Sequence, residues 1–207
     1  MRNKILFWFL LCFLSVFAQR TPMNVGEIAA LKNSVTEKNQ SINTLITHFT
    51  QTKHLEFLSN DIVSKGEMIL KAPDKLLWKY TEPFEYSISF TNNKIYINDQ
   101  GKKNSMDTGN NKVFSKINHL IASSVSGAVF DDKEFDLLFF KEKNQRIIVL
   151  SPKSKDLKGY INQVEMYFTT EATVSEVKLI ESSQDYTQIV FKNQRFNEQV
   201  DDAIFSF

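Results

Sequence analysis

Cysteine is all but absent. The one cysteine in 207 residues, Cys12, lies in an apolar N-terminal run, so the rest of the chain can form neither a disulfide nor a thiolate metal site. Glycine is scarce as well, six in all, too few for a phosphate cradle of the Walker or Rossmann kind. The chain contains no H-E-x-x-H and no G-x-S-x-G, so the zinc-protease and serine-hydrolase constellations are excluded. Beyond the first eighteen residues no apolar run approaches the roughly 20 residues of a membrane-spanning helix. An excess of one charge is also lacking: 25 Lys plus Arg stand against 24 Asp plus Glu, which disfavours a general nucleic-acid surface.

The first eighteen residues follow a targeting pattern. Arg2 and Lys4 give a positive start, Ile5 to Phe17 is almost wholly apolar, and Val16 and Ala18 stand at the two positions a signal peptidase reads. Residues 1–18 are therefore expected to be a cleaved signal peptide and 19–207 a single exported domain. Loss of Arg2 and Lys4 takes the formal charge from +1 to −1. Phe9-Leu10-Leu11 before Cys12 lacks the small residue a lipoprotein signal needs, which argues against a lipid anchor.

What is present reads mostly as β-structure. Ile28, Leu31 and Val35 recur at helical spacing, with Glu27 near the start, and predict a helix over 25–38 with a narrow apolar stripe. Alternation then takes over. In "GEMILKAPDKLLWKY" (66–80) the even positions Met68, Leu70, Leu76, Trp78 and Tyr80 are apolar, while the odd positions are mainly charged, with Ile69 and Leu77 as exceptions. The spacing predicts strands at 45–54, on both sides of the Ala72-Pro73-Asp74 turn, at 86–90, and at 94–98 after Asn92-Asn93. Residues 99–111 read as a mobile loop. Val113, Ile117, Leu120 and Ile121 fall on one side of a short helix, followed by a hinge-like run at 123–127. Further strands are expected at 135–141, 146–150, 160–168, 174–182, 186–193 and 203–207. About ten consecutive strands and few helices predict one large antiparallel sheet with helices on one face. A sheet of that size must curl, and short helices leave its concave side incompletely covered.

Candidate chemistry is sparse. His48 and His54 share one strand face and His119 lies on the short helix; they read as solvated or hydrogen-bonded histidines rather than metal ligands. Asp131-Asp132 beside Lys133 and Glu134 reads as a solvated turn. Trp78, Tyr80, Tyr86, Phe90 and Tyr96 are either ordinary core or the lining of a ligand site, and the pattern leaves both open.

Several short segments, in order, carry a family likeness: Phe49-Thr50-Gln51, Gly66-Glu67-Met68, Leu70-Lys71-Ala72-Pro73 leading to Trp78, Pro83, and Asn92-Asn93-Lys94-Ile95-Tyr96. Later come Val149-Leu150-Ser151-Pro152-Lys153, Gln188 to Asn193, and Ala203 to Phe207. Over residues 25–207 the chain resembles the periplasmic lipoprotein carrier family, LolA. The resemblance implies an α+β, mainly β fold: an unclosed barrel with short helices as a lid over a hydrophobic cavity. It implies a non-enzymatic, monomeric periplasmic chaperone without cofactor. Such a chaperone takes acylated lipoproteins from an inner-membrane ABC transporter to an outer-membrane acceptor. The lining it implies is Met68, Leu70, Leu76, Trp78, Tyr80, Ile88, Phe90 and Tyr96, with Ile117, Leu120 and Ile121 from the lid. Two features depart from the family pattern. Ala72 stands where members commonly place a lid-latching arginine, with Lys71 aimed at the opposite face, and the chain ends at Phe207 without the longer tail of some carriers. A carrier of another amphiphile, such as a glycolipid or lipidated precursor, a non-transporting sensor, and a membrane-anchored acceptor remain as alternatives.

Overall fold

The computed structural model describes residues 20–91, 94–107, 130 and 134–207. The expected leader, Asn92-Asn93, the helix expected around Ile117, His119, Leu120 and Ile121, the 123–127 run and Asp131-Asp132 lie outside the described residues. The strands are β1 (Thr21–Pro22), β2 (Thr44–His54), β3 (Ile62–Lys71), β4 (Lys75–Glu82), β5 (Tyr86–Thr91), β6 (Lys94–Asp99), β7 (Lys102–Asp107), β8 (Phe135–Glu142), β9 (Gln145–Pro152), β10 (Ile161–Phe168), β11 (Val174–Glu181) and β12 (Tyr186–Phe196). They make one sheet in the order β1-β8-β9-β10-β11-β12-β2-β3-β4-β5-β6-β7, and every neighbouring pair is antiparallel. The sheet is not closed: β1 and β7 stand at its two ends.

Cross-strand partners share a face, so the register carries each face across the sheet. One row runs Thr47, Met68, Trp78, Ile88, Ile97, and the next Leu45, Leu70, Leu76, Phe90, Ile95. These rows look inward onto the main core, which joins Trp78 and Met68 to Phe191, Met166, Ile148 and Leu150 from the other half of the strand order. Trp78 on β4 and Phe191 on β12 have ring centroids 6.2 Å apart although β2 and β3 lie between their strands, a contact that the curl of the sheet provides. Each fully buried Leu, Ile or Phe contributes about 1.5–3 kcal/mol.

Helix α1 (Val25–Gln40) starts at Asn24, whose side chain accepts from the Glu27 amide while the Glu27 carboxylate accepts from the Asn24 amide. It ends two residues beyond the predicted limit. Leu31 and Val35 are buried on the inner side. The polar flanks tie both ends to the sheet. Glu27 pairs with Lys141 of β8, and the Lys38 ammonium lies 4.5 Å from the Phe196 ring centroid on β12.

The outer face has its own small core. Ile46, Ile69 and Leu77 are buried beneath Phe205, with Val200, Ile204 and Phe207 packed around them. The apparent exceptions to alternation at Ile69 and Leu77 are thus the seat of the C-terminal segment. That segment is not the strand expected at 203–207. It is a 3₁₀ turn, Asp202–Phe205, capped by Asp201. The segment crosses the outer face instead of lying at a strand edge, so no ladder is available to it. Side chains satisfy its backbone: Lys71 donates to the Val200 carbonyl at 2.8 Å and Ser89 to the Phe205 carbonyl at 2.7 Å.

The loop expected over 99–111 is also corrected. Lys102–Asp107 is strand β7, paired with β6 along its whole length. All six of its residues are exposed, and their polarity reflects that exposure rather than an irregular backbone.

Candidate ligand-binding face

An aromatic cluster occupies the inner face of β2, β4, β5 and β12. Phe49 meets Trp78 edge-on at 4.9 Å between centroids and Tyr80 at 5.0 Å. Trp78 lies 6.2 Å from Phe191, and Tyr80 6.2 Å from Tyr86. Such pairs add about 0.5–1.5 kcal/mol each beyond their area burial. Gly66 makes the arrangement possible. It pairs with Phe49 on one side and Tyr80 on the other, and a Cβ there would meet the Phe49 ring at 2.8 Å and the Lys79 carbonyl oxygen more closely still.

The residues expected to line a cavity divide into three groups. Met68, Leu70, Leu76 and Trp78 are buried on the inner face. Tyr80, Ile88 and Phe90 share that face and are half-buried. Ile117, Leu120 and Ile121 lie outside the described residues. Tyr96 belongs to none of these and is a correction. It pairs with Ser89 and lies on the outer face, its ring centroid 6.2 Å from that of Phe207. Thr91 pairs with Lys94, and a two-residue connection sets even positions of β5 opposite odd positions of β6. The inner-face residues of β6 are therefore Ile95, buried, and Ile97, half-buried, which the sequence reading missed. Asn92-Asn93 already carried the signal: two connecting residues reverse parity, whereas the three between Lys71 and Lys75 preserve it.

Along the inner face the polarity is graded. No charged side chain occurs in the rows through Leu70 and Met68. One step further are Phe49, Tyr80 and Tyr86, with Asp99 at the β6 end, and beyond them Gln51, Ser64 and finally Lys53. The Tyr80 hydroxyl donates to Gln51 Oε1 at 3.0 Å. Burial, and then the neighbouring Tyr86, pushes the Tyr80 phenol up to about 12. Burial, and then Asp99, raises Tyr86 as well. Both phenols are neutral donors at physiological pH.

Other polar groups serve the frame. Arg20 grips Glu165 through two hydrogen bonds of 2.8 Å and donates to the Tyr167 hydroxyl at 2.6 Å. Burial drives the Glu165 carboxyl upward, yet the hydrogen bonds from Arg20 and Tyr167 outweigh it and hold the group below the usual carboxylate range. Lys71 points outward, as the alternation predicts, and with Lys75 holds Asp202 at 2.6 and 2.8 Å. His54 pairs with Asp61 at 2.7 Å and stacks on Tyr186, while His48 lies 3.9 Å from Glu67. Among the described residues no group of three or more His, Cys, Asp or Glu side chains could hold a metal ion. Two depressions of about 210 and 300 Å³ flank the β10–β11 turn around Thr169 and Thr170, and none of the expected lining residues borders them.

An open antiparallel barrel whose inner face is apolar in the rows through Leu70 and Met68, with a helix against it, is the class that fold and face define. The chain belongs to the LolA family: the family model described as outer membrane lipoprotein carrier protein LolA matches residues 40–207. An outer-membrane lipoprotein carrier protein of Francisella tularensis subsp. tularensis (strain WY96-3418) is 23% identical over 212 residues, covering 96% of this chain and 91% of that protein. A counterpart in subsp. novicida (strain U112) is likewise 23% identical with the same coverage. The MucA/MucB complex of Pseudomonas aeruginosa contains a chain that superposes with a TM-score of 0.52 at 9% identity, over 87% of this chain and 61% of that one. That likeness concerns the fold alone.

Proposed function

We propose that the chain is a periplasmic carrier that holds the acyl chains of lipoproteins against its inner face and takes them from the inner to the outer membrane. The observation that carries this reading is the apolar, aromatic-floored stretch of the inner face, half-buried at Tyr80, Ile88, Phe90 and Ile97, in a chain of the LolA family. Hiding hydrocarbon from water is worth about 0.8 kcal/mol per CH₂, so a chain of about 14 methylenes involves roughly 11 kcal/mol. Cargo of that kind needs a covered route through water. The protein's part is binding and not catalysis. Energy for extraction comes from an inner-membrane ABC transporter as donor, and an outer-membrane acceptor that binds the acyl chains more tightly draws the cargo off. The protein must therefore bind with intermediate strength.

A second reading keeps the carrier and changes the cargo to another amphiphile, a glycolipid or lipidated precursor. Ala72 favours it: it offers no cation before Pro73, and the Lys71 ammonium is committed to Val200 and Asp202 on the outer face. Mass spectrometry of lipid co-purified with the native protein separates the two, with triacylated or diacylated peptides expected for the first. Depletion should strand outer-membrane lipoproteins at the inner membrane. Normal sorting in a clean deletion would refute the lipoprotein role.

A further inference from the structure

The graded inner face matches one particular order of chemical groups. In the row of Met68, Trp78 and Ile88 every exposed group is hydrocarbon or ring. About 7 Å further along the strands, at two residues per step, come Tyr80 and Tyr86, and after them Gln51 beside its cross-strand partner Ser64. An acylated molecule has the same sequence: chain, then the carbonyl that joins chain to headgroup, then the headgroup.

At that middle level the Tyr80 hydroxyl occupies Gln51 Oε1. In this arrangement the carboxamide oxygen accepts from the phenol and the NH₂ is left to donate elsewhere. Among the described residues no group accepts from that NH₂. A half-buried donor next to an apolar floor gains most from an acceptor brought in with an apolar molecule. The acceptor must be neutral. A phosphate or carboxylate calls for a cation, and the nearest ammonium on this face, Lys53, lies 3.8 Å from Glu181. The phenols themselves are neutral.

We propose that the Gln51–Tyr80 pair recognises the ester or amide carbonyl of an acyl group, with Gln51 Nε2 as the donor and Tyr80 as the residue that orients it. The inference rests on the carrier reading and adds to it a fixed depth and direction for the bound chain, with the hydrocarbon toward Trp78 and the headgroup toward Lys53.

The test uses three single-chain phosphocholine lipids of equal chain length at concentrations below micelle formation. One has an ester, one an amide at the same position, and one an ether that lacks the carbonyl. Isothermal titration of the exported protein should give a Kd about fivefold lower for a carbonyl-bearing probe than for the ether, the size of one net hydrogen bond. In Gln51→Leu the preference should vanish with the ether Kd unchanged. In Tyr80→Phe it should fall below twofold, which provides a second reading if the first variant folds poorly. Preference for ester over amide, or the reverse, identifies the linkage. Equal affinity of the wild type for all three probes overturns the carbonyl assignment and leaves the carrier standing. Failure to bind any of them overturns both.

Discussion

The Phe49 ring meets the Trp78 indole edge-on, with centroids 4.9 Å apart and planes at 74°. Phe49 is on β2 and Trp78 on β4, so the contact passes over β3, and the residue of β3 beneath Phe49 is Gly66. The missing side chain is what lets two strands one removed from each other share an aromatic floor.

Gly66→Ala should therefore destabilise the protein by about 1–3 kcal/mol, the usual cost of overpacking a tight site. The neighbouring Lys79 carbonyl belongs to the backbone and cannot move aside as a side chain could. Gly26 is the control. A Cβ there meets only the Asn24 side chain at 3.4 Å, and Gly26→Ala in the first turn of α1 should leave stability unchanged or slightly raised. Urea unfolding of both variants gives the comparison. Equal stability of the two would show that the ring rests elsewhere.

The Arg20–Glu165 pair makes a titration prediction. Burial alone raises a carboxyl, and Glu165 sits below the ordinary range only because Arg20 and Tyr167 donate to it. Removing the guanidinium in Arg20→Ala takes away the larger of the two opposing effects. The Glu165 pKa should then move upward, read by carboxyl NMR titration against the wild type. Because the folded value is depressed in the wild type, the pair stabilises the fold above the unfolded carboxyl's pKa, and this stabilisation is lost as pH falls through the folded value. Arg20→Ala should weaken that acid dependence.

Asp202 behaves similarly at the other end of the chain. Hydrogen bonds from Lys71 and then Lys75 bring its carboxyl down to about 2, below its ordinary value. Its hold on the C-terminal turn is complete above the unfolded value near 4 and is lost as pH falls toward 2. Amide protection at Ala203 to Phe207, the slowing of exchange relative to an unstructured peptide at the same pH, should fall across that window in the wild type, while Asp202→Asn should show low protection at neutral pH as well. Protection that does not change with pH would mean that Phe205 burial alone seats the segment.

These residues show how much the sequence made legible. Alternation in residues 66–80 placed Met68, Leu70, Leu76 and Trp78 on one face because period-2 patterning needs no tertiary information. It also marked Ile69 and Leu77 as anomalies. Naming what covers them was beyond it, since Phe205 lies more than a hundred residues away and reaches them only because the strand order sets β12 beside β2. Tyr96 lies on the face opposite to the expected one because the two connecting residues, and not the bulk of the ring, decide parity. Lys102–Asp107 reads as a loop in sequence because an exposed terminal strand and a loop draw on the same polar residues. The Gln51–Tyr80 pair had no local signal: the two side chains meet across β3, and only the register of three strands brings them together.

Occupancy of the inner face can be read from Trp78 directly. The sequence has two tryptophans, and in protein produced without residues 1–18, and so without Trp8, Trp78 is the single tryptophan. It is 5% exposed, between Phe49 and Phe191, so its emission should already be blue-shifted without ligand. A lipid brominated along its acyl chain should quench it, and the same lipid without bromine should not. Ile88→Glu then tests the row itself. Ile88 pairs with Trp78 and is half-buried, so a carboxylate there can remain hydrated while the face is empty and loses water when a chain lies over it. The cost falls on binding rather than folding, and uptake should weaken at least about tenfold with the unfolding midpoint little changed. Quenching that persists undiminished in Ile88→Glu would mean the hydrocarbon approaches Trp78 from the Phe191 side of the barrel, along β12 instead of β5.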